Sequence, residues 1–362
     1  GKTLIKKCVL VACLDWGLGH ATRCIPLIKC LSEKDFTIIF AGNKQAETII
    51  REIFPTVLFL PLKGYEIAYT QNKRFLPIKI LWQTPKILLS ILHENKWLQH
   101  TIKKHSVDIV ISDNRYGLFS KKAYCIFMTH QLRIHAKYVW LENVLQKINY
   151  RFINRFSACW VADFEKNFIM AGQLSHPKKM PVIPVNYTGL LSRFQKKYGT
   201  QLKYKYLILI SGPEPQRSIL ESKIMDVLPL LHGDILVLLG KPGEENLPAK
   251  NKNAIIKNHL SFYELQDAMN AAEYIICRSG YSSVMEILAL QKKSILIPTP
   301  GQTEQEYLAV HLKDQNLCFS FQQQENFYEQ ILAAQSFGYQ LPGIENNELQ
   351  KVVSDLAERF DN

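Results

Sequence analysis

Apolar residues in the first half of the chain come in short runs separated by stretches of helical spacing. Lys7–Leu14 (KCVLVACL) has no polar break after its lysine. That suits a strand buried on both faces of a parallel sheet, not the alternation of a half-exposed one. Similar runs stand at Phe36–Ala41, Val57–Leu60, Val107–Ser112, Ala123–Thr129 and Ser157–Ala162. Helical spacing lies between them, notably at Ala21–Leu31, at Pro85–His105 with the proline opening the helix, and at His135–Asn154. This alternation predicts a parallel sheet covered by helices on both faces.

The pattern breaks over residues 186–204, a polar, Lys-rich, Gly-containing stretch that reads as a linker. It then restarts, with strands at Tyr206–Ser211, Ile235–Gly240, Tyr274–Cys277 and Ser294–Pro298 and helices at 214–231, 262–271, 281–290 and 303–314. A last helical pattern covers Asn347–Phe360. The reading is α/β throughout, with two Rossmann-like parallel-sheet domains. They are an N-terminal domain over 1–190 and a C-terminal domain over 191–345, with a terminal helix in 346–362 that could pack back towards the first domain. No repeat or low-complexity tract interrupts this plan.

Composition adds three constraints. No apolar stretch reaches the ~18 residues needed to cross a bilayer, and the N-terminus lacks the features of a signal peptide. Gly1 reads as a trimmed or processed start. The eight cysteines show no Cys-x-x-Cys pair and no metal-ligand spacing, so buried free thiols in a reducing cytoplasm are expected. The net charge of +12 is uneven. Residues 1–190 hold 27 Lys/Arg against 12 Asp/Glu, and residues 191–362 hold 17 against 20. A basic first half points to a polyanion, an anionic lipid surface or a phosphorylated substrate.

Four stretches carry candidate chemistry. Asp15-Trp-Gly-Leu-Gly-His-Ala-Thr-Arg23 places His20 behind a Gly17/Gly19 turn, where strand one hands over to helix one. Ligands bind at that edge of open α/β sheets. His20 reads either as a general base or as a histidine bonding its own helix start. The loop is neither a dinucleotide fingerprint nor a P-loop. Cys277-Arg-Ser-Gly-Tyr-Ser-Ser-Val-Met-Glu286 is a strand, a hydroxyl-rich turn and a helix start suited to an anion. Glu286 lies one turn on, placed for a ribose diol, although Ser283-x-x-Glu286 equally fits a capping box. Pro298-Thr-Pro-Gly-Gln-Thr-Glu-Gln-Glu306 opens another helix with Thr303 as cap and Glu304, Gln305 and Glu306 in its first turn. Ser211-Gly-Pro-Glu-Pro-Gln-Arg217 offers Gly212 for close ligand approach.

The order of these stretches resembles GT-B glycosyltransferases, and within them the MurG-like, family 28-type bacterial group that builds lipid-linked peptidoglycan precursor. The likeness runs over roughly residues 8–315, and Arg278-Ser-Gly-Tyr-Ser-Ser-Val-Met-Glu286 carries most of it. The resemblance implies two domains facing each other across a cleft. The C-terminal one would hold a nucleotide-sugar, usually UDP-linked, such as a UDP-N-acetylhexosamine, and the N-terminal one the acceptor. It implies that Glu286 binds ribose, that Ser282, Ser283 and the backbone at Gly280 and Tyr281 face the diphosphate with Gly212 against the phosphates, and that Arg278 and Ser279 belong to the same donor-binding stretch. Backbone near Phe262 would read the base, and Glu304, Gln305 and Glu306 would meet the donor sugar. Gly17, Gly19, Asp113, His130 and Gln131 would line the acceptor side, with His20 as the base. The sequence departs from the group in its Asp15-Trp-Gly-Leu-Gly turn, in Glu306 at a glutamine position and in the lack of a Glu between His130 and Gln131.

The resemblance therefore implies a metal-independent glycosyltransferase, needing no cofactor beyond its nucleotide-sugar co-substrate. No Asp-x-Asp metal motif is present, and helix-start N–H dipoles suit a leaving diphosphate. The acceptor is unknown, with lipid-linked or cell-envelope hydroxyls implied, and the place is the cytoplasm or the inner face of the membrane. The cationic and aromatic segment Arg74-Phe-Leu-Pro-Ile-Lys-Ile-Leu-Trp82 is the expected contact with an anionic membrane. The residues also leave two other classes open. A GT-B-type UDP-sugar epimerase would need no acceptor, and a nucleic-acid binder would use the basic half, although no nucleic-acid-binding module signature is present.

Overall fold

Strands whose six residues are all buried, such as CVLVAC, can exist only inside a sheet covered on both faces. The structure, a computed structural model, describes residues 6–15, 17–65, 76–241 and 253–361, and over 76–82 the backbone alone. The described chain divides into two units, residues 1–193 with 346–362, and residues 194–345.

The first unit holds β1 (Cys8–Cys13), α1 (Gly19–Glu33), β2 (Thr37–Gly42), α2 (Lys44–Ile53), β3 (Leu58–Pro61), α3 (Leu76–His105) and β4 (Ile109–Asp113). It continues through β5 (Tyr124–Thr129), α4 (Val139–Ile153), β6 (Ala158–Val161) and β7 (Val185–Tyr187), and is completed by α10 (Glu348–Asp361). Its sheet order is β3-β2-β1-β4-β5-β6-β7, and every pairing is parallel. One face packs as a core of Leu10, Ala12, Val110, Phe127, Cys159 and Val161 with Leu98 and Ile153 from the helices.

The second unit holds β8 (Tyr204–Leu209), α5 (Gln216–Val227), β9 (Ile235–Leu238), β10 (Ala254–Lys257), α6 (Phe262–Asn270), β11 (Ala272–Cys277) and α7 (Tyr281–Ala289). Then come β12 (Lys293–Leu296), α8 (Thr303–Asp314), β13 (Phe319–Ser320) and α9 (Phe327–Gln335). Its order is β10-β9-β8-β11-β12-β13, again all parallel.

Both sheets therefore start in the middle, wind outward one way, and return to the other side of their first strand. The connections part between β1 and β4, and between β8 and β11. Those two points, at the carboxyl ends of the strands, are where such sheets leave a crevice.

Several expectations are corrected. Helix α3 does not begin at Pro85. It begins at Leu76 and carries Pro85 inside, as α1 carries Pro26. Proline is a strong first-turn signal, but a packed helix can tolerate one internally at a cost of about 3 kcal/mol. The stretch 186–204 does carry the passage from the first unit to the second, after Arg193, but it is not an open connector, since it starts within β7 and buries Leu190, Leu191 and Phe194. The Asn346 amide accepts from Leu190 N at 2.9 Å and donates to Leu190 O at 2.7 Å, as a strand neighbour would. This explains Gly189, whose φ is +69° and whose added Cβ would stand 2.5 Å from Asn346 Oδ1. Helix α5 begins at Gln216 rather than 214, and α4 spans Val139–Ile153 rather than 135–154. The proposed membrane segment Arg74–Trp82 lies outside the described residues up to 75, and outside the described side chains beyond.

Candidate active site

In the first unit, the loop after β1 delivers His20 as the second residue of α1, and Asp113 ends β4 on the neighbouring strand. The two meet across the switch point. His20 Nδ1 lies 3.1 Å from Asp113 Oδ2. Arg23, one helical turn after His20, donates from Nε to Asp113 Oδ2 at 2.8 Å and from Nη2 to Asp113 Oδ1. Its Nη1 reaches His130 Nδ1 at 2.5 Å, just past the end of β5. The His20 and His130 rings stand 6.2 Å apart.

The protons in this cluster follow from charge. Burial pushes the Asp113 carboxyl up, but the charges and hydrogen bonds of Arg23 and His20 outweigh it and hold the group well below the usual range. An ionised carboxylate only accepts, so His20 Nδ1 carries the proton and Nε2 the lone pair. Arginine only donates, so His130 Nδ1 is the acceptor in this contact. Burial also lowers the His20 pKa, with Asp113 opposing and Arg23 assisting. The ring is thus neutral near pH 7. Nε2 has no hydrogen-bond partner among the described residues, while the side chain keeps 13% of its surface exposed. This is the arrangement of an oriented general base.

The structure thus joins His20, Asp113 and His130 and adds Arg23, which the sequence reading passed over. Its signal was present, since His20 and Arg23 sit three residues apart on one helix face. Gly17, with φ +79°, is exposed, and a Cβ there would meet nothing within 4 Å. Gly19 opens α1 and accepts from Thr22 Oγ1 at 3.0 Å. The Gln131 N–H is held by Thr129 Oγ1 at 3.1 Å. A second buried ion pair lies nearby: Arg115 donates to Glu94 Oε1 at 3.2 Å, to Cys13 O at 2.7 Å and to Lys63 O at 2.8 Å.

In the second unit, the loops after β8, β11, β12 and β13 converge on Arg278. Its Nη1 donates to Ile297 O at 3.2 Å and Pro298 O at 3.3 Å. Its Nη2 donates to Gln216 O at 2.9 Å and Gln323 Oε1 at 2.6 Å. Ser279 Oγ donates to Gln305 O at 2.8 Å. Helix α7 starts at Tyr281 behind Gly280, and no side chain caps it. Ser283 is therefore the third helical residue rather than the cap, and the Ser283/Glu286 capping box does not form. Glu286 is instead buried in the middle of α7, while Ser282 and Ser283 stay half-buried. A Cβ on Gly280 would meet nothing within 4 Å.

Thr303 is the first helical residue of α8 and Gln302 its N-cap, again without a side-chain cap. Gln305 is used at both ends of its amide, accepting from Thr299 N at 2.9 Å and donating to Gln302 Oε1 at 2.8 Å. Glu306 Oε1 accepts from Gly301 N at 2.8 Å. Both brace the loop before α8, and Glu304 stays half-buried in its first turn. Phe262 comes after β10, and its helix α6 packs against β8 and β11. It is the first residue of a helix capped by Ser261 and stacks on Phe194 at 5.6 Å.

Comparison with known proteins fits this geometry. Residues 216–351 match the glycosyltransferase family 28 C-terminal domain. A UDP-N-acetylglucosamine–N-acetylmuramyl-(pentapeptide) pyrophosphoryl-undecaprenol N-acetylglucosamine transferase of Clostridium botulinum is 26% identical over 286 residues, covering 77% of this chain and 75% of that protein. The enzyme of the same description from Buchnera aphidicola is 22% identical, covering 87% and 84%. Among solved structures, a glycotransferase of kitacinnamycin superposes with a TM-score of 0.65 at 12% identity, covering 98% of this chain and 99% of its own. MurG of Acinetobacter baumannii superposes with a TM-score of 0.57 at 15% identity, covering 98% and 100%. The chain has the GT-B fold, its residues 216–351 match the glycosyltransferase family 28 C-terminal domain, and over most of its length it is similar to enzymes of the MurG type.

Proposed function

We propose that the protein transfers a sugar, of the N-acetylhexosamine type, from a UDP-linked donor to a hydroxyl of a lipid-linked acceptor. The observation that carries this reading is the His20 ring, fixed through Nδ1 by Asp113 with Nε2 left as a base. The relatives from Clostridium botulinum and Buchnera aphidicola transfer N-acetylglucosamine to a pyrophosphoryl-undecaprenol acceptor. Neither is an epimerase, which leaves the acceptor-free alternative without support.

The donor binds the second unit. Its diphosphate lies at the uncapped start of α7, where backbone N–H groups and the helix dipole favour negative charge. Glu286 accepts from the ribose hydroxyls. As the bond from the anomeric carbon to the diphosphate lengthens, the sugar becomes oxocarbenium-like and charge gathers on the leaving diphosphate. Fixed dipoles meet that charge without divalent metal. The acceptor hydroxyl attacks as His20 Nε2 takes its proton. The imidazolium that forms is stabilised by Asp113, which Arg23 keeps ionised and in place.

UDP should bind in the presence of a chelator, as read by titration calorimetry. Glu286→Gln should weaken that binding by roughly 1–3 kcal/mol through loss of a charge-assisted hydrogen bond. Unchanged UDP affinity in the variant counts against the ribose role. Turnover should rise with pH through a value below the ordinary 6.5 of histidine, because burial lowers the His20 pKa and only the neutral ring is a base. A rate still climbing between pH 7 and 8 points to a different base.

A membrane contact is expected as well. Helix α4 exposes Trp140, Val144 and Ile148 at four-residue spacing, with Val139 75% exposed at its start. Helix α3 exposes Leu88, Leu89 and Leu92. Ile87 and Ile91 of α3 and Phe152 of α4 join one small apolar cluster with Leu14, Tyr65 and Tyr116. Lys86, Lys96, Lys137, Lys147 and Arg151 stand along these helices. An apolar surface edged by cations suits the headgroup boundary of an anionic membrane, and a lipid-linked acceptor would lie there. Binding to vesicles with anionic lipid should exceed binding to neutral ones and weaken with salt. Equal binding to both points to a soluble acceptor.

A further inference from the structure

Helix α3 carries into the core a carboxylate that no step of the sugar transfer uses. Ile91, Glu94 and Leu98 lie on its buried face at helical spacing, and Glu94 is 4% exposed. A buried charge is unfavourable unless it is paired and hydrogen-bonded. Glu94 is both. Its Oε1 accepts from Arg115 Nη1 at 3.2 Å, and its Oε2 accepts from Gly117 N at 3.2 Å and from the Tyr65 hydroxyl. That hydroxyl in turn accepts from Tyr116 N at 3.0 Å. The next residue of α3, Asn95, donates to Gly117 O at 2.8 Å and to Phe119 O at 2.9 Å. Helix and loop leave no room for a side chain between them. A Cβ on Gly117 would stand 2.5 Å from Ile91 O and 2.8 Å from Glu94 Oε2.

The partners of Glu94 belong to the loops that hold the His20–Asp113 pair. Arg115 stands two residues after Asp113 and is wholly buried. It passes the attachment on, donating from Nε to Cys13 O at 2.7 Å and from Nη1 to Lys63 O at 2.8 Å. Cys13 is the last residue of β1, seven residues before His20. Leu14 beside it packs with Tyr65 and Ile91. The loops after β1 and after β4 are thus both attached to one carboxylate. The 3.1 Å contact of His20 Nδ1 with Asp113 Oδ2 joins the far end of the first loop to the start of the second. Its geometry is set only as well as those two loops are set.

We infer that Glu94 is a positioning residue for the His20–Asp113 pair, acting through Arg115 and Tyr65 on the loops after β1 and β4. The inference rests on the reading of His20 as the base and adds a requirement on α3. The charge of Glu94 matters because Arg115 is wholly buried, and among the described residues Glu94 is the carboxylate that pairs with it. Glutamine has the same shape but cannot neutralise the guanidinium. The Tyr65 hydroxyl is the milder lever. Phenylalanine there keeps the packing against Leu14 and Ile91 and removes only the bridge from Glu94 to Tyr116 N. The exposed side of α3 bears Leu88, Leu89 and Leu92, the surface proposed above to meet lipid. That surface and the footing of the base therefore share one helix.

The test reads the His20 ring in the full chain, by nuclear magnetic resonance of protein labelled at histidine, with the His20 signal assigned by its loss in His20→Ala. The ring is faced by Asp113 at the end of β4, by Arg23 of its own helix and by His130 after β5. In wild type the neutral ring should hold its proton on Nδ1, and it should titrate below the ordinary 6.5. In Tyr65→Phe and Glu94→Gln the Nδ1 form should give way to a mixture of tautomers. The titration should move up towards 6.5 as the ring leaves its place and water reaches it. This readout does not depend on the acceptor chosen. Turnover per folded molecule, with UDP-N-acetylhexosamine and a polyprenyl-pyrophosphoryl sugar, should fall roughly 3- to 10-fold in Tyr65→Phe and on the order of 10²-fold in Glu94→Gln, with UDP affinity unchanged. If Glu94→Gln does not fold, Tyr65→Phe carries the comparison. A wild-type tautomer and titration in the folded variants, with stability alone reduced, overturns the positioning role and leaves His20 as the base. An altered ring in these variants, with His20→Ala turning over as fast as wild type, supports the positioning role and overturns the base.

Discussion

His20→Ala is expected to lower turnover by roughly 10²- to 10⁴-fold, the usual worth of a positioned general base. The size follows from what the ring does. An acceptor hydroxyl near pH 7 is a poor nucleophile, and in the proposed mechanism the neutral imidazole of His20 removes its proton as the bond to the sugar forms. Donor affinity should stay close to wild type, because the stretches proposed to bind the donor belong to the other unit of the chain. The useful control is His20→Gln, which keeps a polar side chain but has no base; it should be as slow as alanine. A rate near wild type in both variants, measured at saturating donor, would return His20 to a helix-start role.

Asp113→Asn is expected to hit both activity and stability. The carboxylate has two tasks that an amide cannot perform together. It accepts from His20 Nδ1, which fixes the tautomer, and it neutralises Arg23, whose side chain is 1% exposed. Removing the charge leaves a buried guanidinium without its counter-ion. Breaking one side of a buried ion pair costs on the order of 3–5 kcal/mol. Activity should fall at least as far as in His20→Ala, since the wrong tautomer presents an N–H where a lone pair is needed.

The pH dependence has a definite sign. The folded pKa of Asp113 is held below its ordinary 3.8, so its contribution to stability is complete above that pH and is lost as the pH falls towards the folded value. The variant should lack that acid-side loss. Urea unfolding of Asp113→Asn, Arg23→Met and the double variant checks the pairing. The double variant should be less damaged than the sum of the singles. Strict additivity would mean that the pair is not coupled.

Much of this site was legible in the sequence because strand-to-helix turns carry distinctive residues. The Gly-Leu-Gly-His turn, the Arg-Ser-Gly-Tyr-Ser-Ser turn and the Ser-Gly-Pro turn each follow a fully apolar run, and the sheet order brings two of them to the β8/β11 switch point. The features that stayed hidden did so for physical reasons. The edge strands β7, β10 and β13 are two to four residues long and carry too little apolar pattern to stand out. Pro85 looked like a helix start because local sequence does not show whether packing carries a helix through a proline. The partnership of Asp113 with His20 spans 93 residues and exists only once β4 lies beside β1. The Ser283/Glu286 spacing suggested a capping box, but the helix starts three residues earlier than that box requires.

Sugar transfer itself is read by UDP release from UDP-N-acetylhexosamine, followed with and without a polyprenyl-pyrophosphoryl sugar acceptor, in wild type and His20→Ala. The expected result is release that requires the acceptor, delivers label to the lipid fraction, proceeds in chelator and collapses in His20→Ala. Epimerised sugar or UDP formed from donor alone, or equal transfer by the His20→Ala variant, would contradict it.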